Sequence, residues 1–143
     1  VSEAKGLEGL RDELIEELKV LVALPADERE TVLLIVPHML RDFLDFNDFL
    51  DEADGVLQEL DMEGGFQVAS FHPDFQFADT EPDDITNSTT RSPYPTLHLI
   101  REASIDRAVE AFPEAETIYE ANMATMEKLG AEGWKALDVG PTP

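Results

Sequence analysis

Three histidines and one polar stretch carry whatever chemistry this sequence can do. His38 follows Pro37 at the end of an apolar run, His72 precedes Pro73 at the end of another, and His98 lies inside a third. Imidazole titrates near neutral pH, so His72 or His98 can serve as a general acid or base. Asp84 is the carboxylate available to orient it. Arg91 or Arg101 can hold a carboxylate or phosphate through paired N–H bonds. Asn87 and Tyr94 add polar contacts for a substrate. Imidazoles with carboxylates can also bind zinc or iron, but no spacing such as His-x-x-x-His occurs. The pattern therefore names no metal ligands and no cofactor. The 143 residues contain no cysteine, which excludes thiolate catalysis, disulfides and Cys-based metal centres within this stretch.

Each of these residues also has a purely structural use. His38 can face solvent in a first helical turn. His72 can satisfy backbone groups at a strand end. His98 alternates with Leu97 and Leu99, so it is expected on the opposite sheet face from them. The acids of the polar stretch, among them Asp79, Asp83 and Asp84, can be turn formers. Asn87-Ser-Thr89 matches a glycosylation sequon, a pattern common by chance. Asn47 reads as a buried hydrogen-bonding residue. Phe43, Phe46 and Phe49 read as core rather than a cofactor box, and Phe46, off the main stripe, is the candidate among them for a partner contact.

The elements that must position these groups follow from hydrophobic period. Leu7, Leu10, Leu14, Leu18 and Leu21 recur at helical steps, predicting a helix over 7–23 that ends before Pro25. Thr31–Val36 is a short, β-branched apolar run and reads as a buried strand. Residues 38–60 read as a second helix and Phe66–Phe71 as a second strand. Strand, long helix, strand is a βαβ unit, so these two strands should run parallel. Both His38 and His72 then leave the same carboxyl edge, where open α/β sheets bind ligands. Residues 73–95 hold four prolines and no period, and read as a long polar loop over that edge. Thr96–Ile100 is a third strand. Ser104 is the expected N-cap of a helix to about Phe112, and Glu114–Leu129 a last helix stopped by Gly130. The expected fold is a single small α/β domain over 1–137, with mixed α+β as its variant: a βαβ unit, at least one further strand and flanking helices. Residues 138–143 read as a loose tail.

Composition narrows the partners. The chain has 32 acidic and 10 basic residues, a net charge of −22. Such a surface cannot neutralise phosphate, so nucleic acid is not expected as a partner. Anionic membrane surfaces are disfavoured for the same reason. No apolar run is long enough to span a bilayer. The acids are spread along the chain rather than blocked, which favours solubility as their role over docking to a protein with a basic surface.

Several longer motifs carry a resemblance. Arg41-Asp-Phe-Leu-Asp-Phe-Asn-Asp-Phe-Leu50, Val68-Ala-Ser-Phe-His-Pro73, Arg91-Ser-Pro-Tyr-Pro95 and Leu97-His-Leu-Ile-Arg-Glu102 resemble the family catalogued as domain of unknown function 1415, from about residue 7 to about residue 134. The resemblance implies a preceding helix with an Asn-Leu-Cys-Pro-Phe-like motif and a further strand, of which Val1-Ser2 would be the end. A site that used that cysteine would be incomplete in the residues shown.

Two functions fit the sequence. A non-catalytic, acidic accessory subunit of a larger assembly explains the charge and the lack of a catalytic motif. A small-molecule enzyme with a His/Asp/Arg site at the carboxyl edge explains why polar residues gather on one loop. A metabolite-binding regulator is a third. The compartment would be cytoplasmic in a bacterium, or organellar (plastid or mitochondrion) if the N-terminus is processed.

Overall fold

Four leucines build the first layer. Leu10, Leu14, Leu18 and Leu21 are fully buried along α1, Leu7–Ala23. Each contributes roughly 1.5–3 kcal/mol by leaving water. Leu7, expected on the same stripe, is 57% exposed. The computed structural model describes residues 1–139, so most of the expected loose tail lies outside the described residues.

The fold is a mixed α/β domain with a three-stranded sheet. The strands are β1 (Thr31–Ile35), β2 (Phe66–Phe71) and β3 (Thr96–Arg101), in the order β1-β3-β2. β3 pairs antiparallel with both neighbours. β1 and β2 thus run in the same direction, as the βαβ pattern predicts, but they do not pair. The sheet is antiparallel throughout because the third strand returns between the first two.

Register separates two faces. Val32, Leu34, Leu97, Leu99 and Val68 share the face covered by α1 and by α2, Phe43–Glu59. Leu97 and Leu99 are fully buried there. Leu33, His98 and Ala69 share the other face, and Leu33 remains 53% exposed. Val1-Ser2, expected as a strand end, is irregular, though the Ser2 N–H donates to the Ile35 carbonyl at 2.7 Å.

α2 begins five residues later than its periodicity suggests. Leu40 adopts a left-handed φ of 58°, which a helix cannot continue through. Asp42 then caps α2, its Oδ1 accepting from the N–H groups of Leu44 (2.9 Å) and Asp45 (3.1 Å). Phe46 is fully buried, so it is core and offers no partner contact. Asn47 is exposed, not a buried hydrogen-bonding residue. The inward face is Phe46, Phe49, Ala53, Val56 and Leu57.

The polar stretch contains a short 3-10 helix, Ile85–Thr90, that no hydrophobic period announces. Beyond β3, α3 spans Glu102–Ala111. Ser104 therefore sits inside its first turn, and Arg101 holds the cap position expected for Ser104. α4, Glu116–Ala136, breaks at Gly130 (φ 67°, ψ 174°), where helix geometry resumes after one residue. α4 packs against the 3-10 helix. No helix among the described residues is long and apolar enough to cross a membrane.

Candidate functional site

Ile35 and Phe71 both pair with Thr96, so His38 and His72 leave the sheet at one edge. The polar loop starts and ends at that edge. The two imidazoles are nevertheless in different surroundings: His38 is exposed, and His72 is fully buried.

Both nitrogens of His72 are used. Nε2 donates to the Leu40 carbonyl at 2.9 Å, and Nδ1 accepts from the Asp74 N–H at 3.0 Å. An accepting Nδ1 and a donating Nε2 define one neutral tautomer. The rings of Phe43 and Phe46 enclose it at centroid distances of 5.3 and 5.0 Å. His72 thus holds the left-handed Leu40 in place and starts the loop at Asp74.

The loop is pinned by its own polar side chains. Asn87 is fully buried. Its Oδ1 accepts from the Phe77 N–H (2.9 Å) and from Thr80 Oγ1 (3.1 Å), and its Nδ2 donates to the Glu81 carbonyl (3.0 Å). A glycan on this enclosed Nδ2 would displace its bond to Glu81, so a glycosylated Asn87 is incompatible with this fold. Asp84 caps the 3-10 helix by accepting from Thr86 Oγ1 (2.7 Å) and the Thr86 N–H (3.0 Å). These bonds, the hydroxyl first, hold its carboxyl below the usual range. Arg91 donates from Nε to Phe75 (3.0 Å) and from Nη2 to Pro82 (2.8 Å), both carbonyls. The Tyr94 carbonyl accepts from Ser92 and Thr96 hydroxyls.

The remaining candidates lie elsewhere. By register, His98 projects from the sheet face opposite the core, and His72 continues the core-facing positions of β2. The sheet stands between the two imidazoles. Partial burial lowers the His98 pKa. Arg101 pairs with Phe66, five residues and roughly 17 Å along β3 from Thr96. Its Nη2 lies 2.7 Å from the Leu21 carbonyl and 2.8 Å from those of Leu24 and Arg29. It therefore neutralises the carboxyl end of α1, with its guanidinium 5.6 Å from the Phe66 ring. Asp84, Asn87 and Arg91 are brought together in the loop. His72, His98 and Arg101 are not brought to them as one constellation.

Two grooves flank the start of α2. One, of about 530 Å³, has Leu7, Met39, Leu40 and Phe49 in its walls with Asp45, Asp48 and Glu52. These three acids recur at steps of three and four along α2 and so share one helix face. The other, of about 780 Å³, is lined by Arg41, Phe43, Asp74, Gln76 and Arg91, with Asp42, Leu44 and Pro82. Neither groove was drawn from the sequence. The available signal was Arg41-Asp42 immediately before the Phe43–Phe49 apolar spacing, which marks a capped helix start with an arginine beside it. Among the described residues no three His, Asp or Glu side chains are placed to hold a metal ion.

The model of the family described as "Protein of unknown function (DUF1415)" matches residues 1–136. The chain belongs to this family. Comparison with curated proteins and with solved structures found no match for it. The family motifs now have places in this fold. The Phe-rich segment of the family motif is the start of α2, and Ser-Phe-His-Pro is the end of β2 with its clamp on Leu40.

Proposed function

We propose that this family member is an interaction subunit whose groove between α1 and α2 receives a basic segment of a partner protein. The groove itself supports this most directly. Its apolar walls match the aliphatic stem of a lysine or arginine, and Asp45, Asp48 and Glu52 match the charged head. Arg11, 3.9 Å from Glu52, answers part of that charge; Asp45 and Asp48 are exposed and have no cation within 4.0 Å among the described residues. His72 serves the groove by fixing Leu40 in its wall, a positioning role rather than a catalytic one. The net charge of −22 extends the same attraction to long range.

Native purification of the tagged full-length protein tests this. A stoichiometric partner with a basic surface is expected. It should dissociate as added salt shortens the Debye length from about 10 Å to about 3 Å. The double reversal Asp45→Lys, Asp48→Lys should release it at low salt. A complex indifferent to salt and to the reversal, or a protein always recovered alone, would contradict the proposal. The small-molecule enzyme remains the second reading, favoured by the two arginines on the larger groove.

A further inference from the structure

We propose that the groove between the start of α2 and the polar loop binds a small oxyanion, a single phosphate or carboxylate group, between Arg41 and Arg91. This site is separate from the docking groove, and either proposal can fail while the other stands.

Charge pairing singles the two arginines out. Acids outnumber bases 32 to 10, and three of the six arginines have found one. Arg11 pairs with Glu52 and Glu59, Arg29 with Glu17 and Arg107 with Glu30. Arg101 is held among the backbone carbonyls at the end of α1. Arg41 and Arg91 have no carboxylate within 4.0 Å among the described residues, yet they line one groove. In so acidic a chain, two guanidiniums beside one cavity, neither of them paired with a carboxylate, mark a place suited to an external anion.

Arg91 is also preorganised. The carbonyls of Phe75 and Pro82 fix its Nε and Nη2 without neutralising the guanidinium. Its Nη1 has no hydrogen-bond partner among the described residues. A donor fork already held in place loses little further entropy when an oxyanion arrives. Arg41 is exposed and can close from the other side.

The two acids on the groove set the ligand class. Asp42 has Oδ1 committed to the first N–H groups of α2. Asp74 is exposed at the groove and opposes a dense polyanion. A ligand with one oxyanion group on a small organic body fits, and the exposed Leu44 and Pro82 offer that body apolar contact.

The experiment titrates the full-length protein with inorganic phosphate and, separately, with butyrate, a monocarboxylate on a small apolar body. Amide resonances of Leu44, Asp74, Gln76 and Arg91 report binding. Saturable shifts confined to this set are expected with at least one probe. Binding should weaken about tenfold in Arg41→Gln and in Arg91→Gln, the cost of one charge-assisted hydrogen bond. The stronger probe shows whether phosphate or carboxylate is the ligand group. Arg91 also braces the loop, so a thermal melt accompanies each variant, and Arg41→Gln decides alone if Arg91→Gln is unfolded. Absence of saturable shifts with both probes, or equal affinity in folded Arg41→Gln, overturns the proposal.

Discussion

The layer made by α1, α2 and the sheet differs in kind from the loop of residues 73–95. The layer is held by apolar burial: its fully buried side chains are leucine, valine, alanine and phenylalanine. The loop is held by directional bonds from Asn87, Asp84, Arg91 and Thr80 to nearby backbone groups. Burial of apolar area tolerates small shifts, whereas a hydrogen-bonded amide inside a loop has one geometry. Polar residues concentrated on a loop are thus insufficient to indicate catalysis, because a loop without an apolar core needs them to fold. His72 joins the two regions, with its ring against Phe43 and Phe46 and its nitrogens on Leu40 and Asp74.

The largest expected effect comes from the apolar region. Phe46→Ala removes a fully buried ring that also packs on His72. A loss of about 3–5 kcal/mol is expected, read from the urea midpoint. The loss should be global, lowering exchange protection in the sheet and the loop together. A stability change confined to the loop would contradict the central place given to this side chain.

Asn87→Ala should act on the other region. It leaves the Phe77 N–H and the Glu81 carbonyl without their side-chain partner, at a cost of about 1–3 kcal/mol. Hydrogen exchange should show protection lost at Phe77 and Asn87 while Leu97 and Leu99 keep theirs. Equal loss in the sheet would mean that the loop and the layer are one cooperative unit.

The same contrast explains what the sequence disclosed. Leu10, Leu14, Leu18 and Leu21 are legible because burial imposes a helical period on a continuous segment. The three strand runs are legible for the corresponding reason. The faces of Phe46 and Asn47 are hard to read because Leu40, which precedes the helix, and Leu44, which is exposed on it, blur the stripe set by Phe46 and Phe49, and nothing in a leucine announces a positive φ. The return of β3 between β1 and β2 depends on pairing across some 60 residues, which local pattern does not encode. The 3-10 helix is built from Ile85-Thr-Asn-Ser-Thr-Thr90, where side-chain bonds replace apolar spacing. Arg101 shows the limit most plainly: its partners, Leu21, Leu24 and Arg29, lie more than seventy residues away. Its sequence neighbours suggested a ligand arginine, and its bonds make it a cap for α1.

The smallest expected effect belongs to the sheet face that neither region covers. His98 is partly buried there, beside Leu33 and Ala69 in register. Desolvation disfavours its charged form, so its pKa in the fold lies below the ordinary value. In the unfolded chain it titrates near about 6.5. The unfolded state therefore binds more protons in the interval below that value, and stability falls as pH drops from about 6.5. The fall ends once the folded histidine protonates as well. Asp84 acts in a separate window: its lowered pKa favours the fold above about 3.9, and that contribution is lost in stronger acid. Urea midpoints of the wild type and His98→Gln, compared from about pH 7.5 to about pH 5, isolate the histidine. The wild type should lose stability over this range more steeply than the variant. Parallel curves would mean that His98 is as solvated in the fold as in the unfolded chain. The outer face would then present an open, hydrated imidazole, and a partner covering that face would have to desolvate it.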